Sequence, residues 1–413
     1  MKSEVRRLVG RRWALTVGLV VALGSVLAAC GSSDNSTSAG TAGASTAASG
    51  GTQTTAGASS DANVGTQAQP IELKVGALNF SMDKYCGDKP MKIGLLDGFG
   101  GNTWRLEVRA VNEKFKQTCK NVNEVQYFDA NLDQQKYTNA ISSWAAQGFN
   151  VIQAYPDFGP LTVPAFRQAQ RQGVKVGSSN SPIGNVVPDA VSASVVQNLD
   201  DAGQKFVKFL DDAGNGKTMK ILLVGGPASN SQDPAIIAAM QKAIKDTGAH
   251  VEFLQNRLVV GNWDTATTQK AMAAAVAKYP KIDGVVDTYM ATSPAVIRAF
   301  KAAGRPLPAI AGQGSTMQVV CQLHDERKAD PKFNMFSIDA SGNASPMALA
   351  KAIAAYQGIE APELGPSDAP TYVNFPVYVD TLNNKIPACD KSVPADADLS
   401  MPLSPAEVSA LKK

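Results

Sequence analysis

The residue types that carry covalent catalysis are thinly spread through this sequence. It has two histidines in 413 residues, His250 and His324, and neither stands in a triad or metal-ligand spacing. No G-x-S-x-G or H-E-x-x-H motif occurs. Gly225-Gly226-Pro227 is a glycine-rich turn of a kind that can cradle phosphate, but the Gly-Lys-Ser/Thr ending of a P-loop is missing. Five cysteines are present without a C-x-x-C pair, which removes the common redox and zinc spacings. No enzyme activity, cofactor or metal is expected. The chemistry on offer is noncovalent. Asn102, Trp104 and Arg105 fall together at the start of a predicted helix. An indole face stacks on a flat apolar surface such as one side of a sugar ring. An amide both donates and accepts, and a guanidinium presents forked donors to hydroxyls or to a carboxylate.

These side chains need a scaffold, and the surrounding pattern supplies one. The short apolar run 91–96 reads as a buried parallel strand. Gly98 to Gly101 breaks it, and Asn102 or Thr103 can cap a helix reaching Cys119. Strands are expected over 122–128, 150–154 and 173–177, with helices over 134–147 and 159–172 between them. The pattern restarts after Ser192. Helices over 199–213, 234–248, 265–279 and 293–304 alternate with strands over 219–224, 251–258, 284–288 and 308–312. Such alternation implies parallel sheets covered on both faces, with right-handed connections. Two runs of it predict an α/β chain of two doubly wound lobes. Ligands of open parallel sheets sit beyond the carboxyl ends of the strands. That rule picks out Tyr155 and Asp157 after the third strand, Asp157 being the polar choice, and Asn180 after the fourth. In the second run it picks out Ser229, with Asn230 and Asp233, then Asp287, Tyr289 and Gln313.

Charge and composition say where the chain works. Lys2, Arg6, Arg7, Arg11 and Arg12 against Glu4 put the first dozen residues at +4, so from the total of +3 the rest carries −1. No polybasic surface for nucleic acid remains. This basic stretch, the short apolar run 13–26 and Leu27-Ala28-Ala29-Cys30 read as an export signal over 1–29. The last four residues resemble a bacterial lipobox, with Cys30 the acylated first residue of the mature chain. Arg11-Arg12 leaves both the general and the twin-arginine export routes open. Residues 30–69 are almost entirely small and polar and cannot bury enough surface to order themselves, so they read as a tether. A coil of roughly 40 residues reaches about 35 Å. The four other cysteines permit three disulfide pairings. The preferred one is Cys86–Cys119 with Cys321–Cys389, because a strand start and a helix end share one edge of a βα unit.

The order of these elements resembles the type I periplasmic binding proteins, especially the ribose-binding branch of ABC-transporter solute receptors. The resemblance spans about 91–385. It rests on Lys92-Ile93-Gly94-Leu95-Leu96 with Gly101-Asn102-Thr103-Trp104-Arg105, on Phe128-Asp129-Ala130-Asn131 with Ala146-Gln147-Gly148, on Gly261-Asn262-Trp263-Asp264, and on Val296-Ile297-Arg298-Ala299-Phe300-Lys301-Ala302-Ala303-Gly304. It implies a three-crossover hinge, a first lobe of 90–191 plus 340–375, and a second of 192–338 plus 376–413. It implies that Trp263 is a second stacking wall and that Asp339 lies near the last crossover on the ligand. The family's ligand loop often has two aromatics where Trp104-Arg105 stands, so Arg105 suggests a more polar or acidic ligand. Asn180-Ser181 replaces an Asp-Arg pair, and Tyr289 and Gln313 replace an amide and a carboxylate. The architecture is shared and the ligand is expected to differ.

The implied function is a lipid-anchored, monomeric, extracytoplasmic receptor. It closes on a small polar solute, with a sugar or sugar derivative favoured, and presents it to an ABC permease. The membrane is touched through the lipid alone. The same clamp could instead signal to a receptor kinase. A repressor with this lobe pair would need a DNA-binding headpiece where this chain has its export signal and tether.

Overall fold

The computed structural model describes residues 69–411. The export segment, Cys30 and nearly all of the tether lie outside them. Most strands are short apolar runs buried on both faces, as parallel strands between helix layers must be. In chain order the first six are β1 (Ile71–Glu72), β2 (Met91–Asp97), β3 (Val122–Asp129), β4 (Val151–Ala154), β5 (Lys175–Asn180) and β6 (Ala193–Gln197). The next six are β7 (Met219–Gly225), β8 (Val251–Phe253), β9 (Val259–Val260), β10 (Gly284–Asp287), β11 (Ala309–Gln313) and β12 (Met335–Ile338). They are followed by β13 (Thr371–Asn374) and β14 (Val377–Asp380). One sheet runs β1-β13-β6-β5-β4-β2-β3, all parallel. The other runs β14-β12-β11-β10-β7-β8, with β9 also on β7 and only β14 antiparallel.

The helices are α1 (Thr103–Thr118), α2 (Gln134–Ala146), α3 (Val163–Arg171), α4 (Leu199–Gly214), α5 (Gln232–Thr247), α6 (Thr265–Lys278), α7 (Ser293–Ala302), α8 (Met317–Ala329), α9 (Ala344–Gln357) and α10 (Pro405–Ala410). Asn102, Asp133, Asn198 and Asp264 each accept a bond from the backbone N–H three residues on, and so fix where α1, α2, α4 and α6 begin. One apolar cluster lies between the first sheet and α2 and α3. Another lies between the second sheet and the layer of α6, α7 and α8. A third is continuous from α1 and α9 through the hinge to α4 and α5. The chain passes between the lobes at three hinge crossovers, at Asn198, between Ile338 and Ala344, and between Asn374 and Val377, and a fourth time in its tail near Asp398.

Three expectations are corrected. The first lobe does not end at 191: β6 is wholly buried and pairs with β5 and β13, so the crossing comes at Asn198. The tail does not stay with the second lobe. Cys389 is bonded to Cys321 of α8, and Ala395 and Ala397 accept from the start of α8. From Asp398 onward the tail lies on the first lobe. The Asp398 N–H donates to Glu107 of α1, Met401 lies against Gly342, and Glu407 pairs with Lys114 at 2.9 Å. The strand expected over 251–258 stops at Phe253, where the polar Gln255, Asn256 and Arg257 carry the chain out of the sheet, and β9 begins only at Val259. The other disulfide joins Cys86 to Cys119, so both preferred pairings are present.

Candidate functional site

The carboxyl ends of both sheets face one another across the hinge, and a cavity lies at that seam. It is lined by Asn102, Trp104, Arg105, Tyr155, Asn180 and Ser341 on one side and by Gln232, Trp263, Thr288, Tyr289, Gln313 and Gly314 on the other. The lobes meet around it. Phe99 and Trp263 stand edge to face at 5.7 Å. The Ser231 hydroxyl donates to the Pro182 carbonyl at 3.3 Å. The remaining space is about 40 Å³, room for water or a very small molecule. A sugar-sized ligand therefore needs the lobes to part before it can enter.

Local backbone geometry aims the side chains. Asn102 caps α1, with its Oδ1 accepting from Arg105 N at 2.9 Å, so the first turn of the helix holds Trp104 and Arg105 at the cavity. Trp104 meets Tyr155 edge to face at 5.6 Å. Asn180 ends β5 with φ 66°, and Asn262 and Trp263 follow one another at φ 55° and 50°. A tryptophan in this region is strained, and such strain concentrates at functional sites. The indole of Trp263 lies directly on Gly226, where even one methyl group would overlap it. That close approach is the physical use of the Gly225-Gly226 turn.

Arg105 is almost wholly buried and doubly paired. Its Nη1 donates to Asp97 at 3.1 Å and its Nη2 to Asp157 at 2.6 Å. Its guanidinium lies 3.5 Å from the centre of the Tyr155 ring. Burial opposes its charge, but Asp157 and Asp97 outweigh that and raise its pKa further. Burial raises both carboxyls against the pull of Arg105, Asp157 to about 6. Asn180 donates its amide to the Tyr155 hydroxyl at 3.3 Å, while its buried Oδ1 has no protein partner. A chain of amides spans the hinge: Gln232 donates to Gln197, and Gln197 donates to Gln313, each at 3.0 Å.

Eight of the residues expected from sequence line this cavity: Asn102, Trp104, Arg105, Tyr155, Asn180, Trp263, Tyr289 and Gln313. Four do not. Asp157 stands behind Arg105 and also accepts from Gly98 N. Ser229 is exposed on the glycine turn. Asp287 is fully buried and accepts from Tyr289 N, Thr292 and Ser293, joining β10 to the start of α7. Asp339 accepts from Gly314 N, Ser315 N and Ser337, which fixes the loop after β11. Sequence reasoning missed Gln232, Thr288, Gly314 and Ser341, and preferred Asp157 where Tyr155 is the lining residue. Thr288 and Gly314 are immediate neighbours of residues it did name, so the strand-end rule had already reached their loops. Among the described residues no group of three or more His, Cys, Asp or Glu side chains is placed to hold a metal, and no helix is long and apolar enough to cross a membrane.

No curated protein sequence matches the chain significantly. Solved structures do. An ABC transporter solute-binding protein from Thermobispora bispora is 23% identical, with a TM-score of 0.57 over 70% of this chain and 84% of its own. The binding component of the arabinose ABC transporter of Shewanella sp. ANA-3, bound to L-arabinofuranose, is 17% identical, with a TM-score of 0.60 over 78% and 98%. A solute-binding protein of Agrobacterium vitis with bound D-fucose is 15% identical, with a TM-score of 0.58 over 71% and 96%. At these identities the likeness is one of fold. The periplasmic binding protein domain model matches residues 93–357, more than half of the sequence. That span takes in the strands from β3 to β12, most of β2 and every residue lining the seam cavity, and the chain belongs to this family of substrate-binding proteins, not enzymes.

Proposed function

We propose that the protein is an extracytoplasmic solute-binding lipoprotein of an ABC importer, which captures a small polar ligand, a sugar or sugar derivative, by closure of its two lobes. The observation that carries this reading is the seam cavity. Two tryptophans from opposite lobes flank amide and hydroxyl groups in a space no catalytic constellation shares. Aromatic faces bind the apolar side of a sugar ring, and amides bind its hydroxyls. The similar structures with arabinofuranose and fucose bound support the same ligand class. Ligand contacts to both lobes shift an open–closed equilibrium toward the closed form that a permease would read.

A thermal-shift screen of the purified chain against a library of sugars, polyols and small nitrogenous solutes tests the capture step. A ligand selective for the folded state raises the melting temperature, and raises it further as its free concentration climbs above Kd. No shift with any sugar or polyol at millimolar concentration would count against the reading. Acylation at Cys30 is tested by metabolic labelling with a fatty acid, which the wild-type chain should incorporate and Cys30→Ser should not. A chain that stays unlabelled, or a labelled serine variant, removes the lipid anchor from the proposal. Genes for a permease and an ATPase beside this one are expected for an importer, and a receptor-kinase gene alone in that place would indicate a sensor.

A further inference from the structure

Arg105 is the one charged side chain among the residues lining the seam cavity. Read from sequence, it invites an acidic ligand. The structure places two carboxylates on it first. Asp97 takes Nη1, Asp157 takes Nη2, and the face of the guanidinium rests on Tyr155. The forked edge that would grip a ligand carboxylate is already bonded. When ionised, the three groups together carry one negative charge, not a positive one.

The second lobe adds to that sign. Asp233, Asp287 and Asp339 are all fully buried just behind the lining residues. Each is held by backbone N–H, hydroxyl or amide donors, with no lysine or arginine among its hydrogen-bond partners. Burial raises the pKa of all three. An anion entering the cavity would lose its water, find no unpaired cation and lie near several acids. A cation would gain no ion partner either, because no carboxylate is among the lining residues. Neutral hydroxyls meet what remains: the amides of Asn102, Gln232 and Gln313 and the unpartnered Oδ1 of Asn180.

Resting on the capture reading above, we infer that the cavity selects neutral polyhydroxyl ligands against their acid forms, and that Asp97 and Asp157 set this selection by occupying Arg105. The two carboxylates act as positioning residues: they fix the guanidinium and cancel its charge without standing in the cavity.

The test uses the full chain, purified in mild detergent, with tryptophan fluorescence and thermal shift as readouts. Neutral pentoses, hexoses and polyols are titrated beside their aldonic and uronic acids at pH 7.5. The expected result is that each bound neutral compound outcompetes its own acid by about 10-fold or more. An acid that binds as tightly as its neutral counterpart overturns the inference and leaves polyhydroxyl capture standing. If no compound binds, neutral or acidic, capture itself fails. In Asp157→Asn, which frees one edge of Arg105, the preference for neutral over acid should shrink by about 10-fold. A folded variant with an unchanged ratio removes Asp157 from the mechanism. The wild-type comparison decides the ligand class even if the variant does not fold.

Discussion

At the scale of single residues, Trp263 carries the sharpest expectation. Its indole comes from a loop whose backbone is held at φ 55° and 50° over two residues, an arrangement that makes sense if the ring must stand at the cavity. Trp263→Ala and Trp104→Ala should each weaken ligand binding by ~2 kcal/mol or more, about 30-fold, measured by isothermal titration once the screen yields a ligand. Unchanged affinity in both would move the site elsewhere. Residues of this kind were legible because a parallel sheet directs its ligand to the strand ends, and strand ends can be found from apolar runs. The carboxylates were not separable in that way. Asp287 ends β10 and Tyr289 lies two residues on, yet one accepts bonds from the next loop and helix while the other faces the cavity. A short acidic side chain beside a loop has backbone donors within reach, and spacing along the chain does not show which partner it takes.

At the scale of elements, the glycine turn after β7 and the buried acids at the strand ends give two predictions. Gly226→Ala should displace Trp263, since its added methyl would overlap the ring. Ligand affinity should fall several-fold while the far-ultraviolet circular dichroism stays that of the parent. The acids set the pH response. Burial pushes Asp287 from its ordinary 3.8 up to about 7, and Asp157 and Asp233 up to about 6. The folded state therefore holds protons that the unfolded chain releases between about pH 4 and pH 7. This stabilisation is fully present at the low end and is lost as pH rises through that window. Glu363 and Glu407, held near 2 by their hydrogen bonds and lysine partners, act in the opposite sense but lower on the pH scale. The melting temperature should be higher at pH 5 than at pH 8, and Asp287→Asn should flatten the slope. A melting temperature that rises steadily across the window would contradict this account. The strands and helices themselves were legible from alternating apolar runs and caps. The strand at β6 was hidden because Ser192 looked like a boundary, and its true place is fixed by pairing with β13, far along the chain.

At the scale of the whole molecule, the tail is a fourth link between lobes that already share three crossovers. It is tied to α8 through Cys389, and to α1 through Asp398 and Glu407. Deleting the chain from Asp398 onward should lower the melting temperature by several degrees, since it removes the buried Met401 from Gly342 and the Asp398 N–H from Glu107. In solution scattering the ligand-free deletion variant should also be more extended than the intact chain. An unchanged melting temperature and radius would show the tail to be passive. None of this was visible from composition, because the segment after Asn383 is rich in Pro, Asp and Ser and reads locally as irregular chain.

The pairing of β1 with β13 bears on how such a chain can be made. The polypeptide leaves the ribosome amino end first, so β1 is among the first strands delivered and has no neighbour waiting for it. Its partner arrives only after the entire second sheet except β14 has come through. The first sheet thus stays incomplete for nearly the whole passage, and a ribosome that stalls anywhere before residue 371 releases a fragment with that sheet unfinished. Quality control would meet such fragments as exposed strand edges, long before it could recognise a missing ligand site.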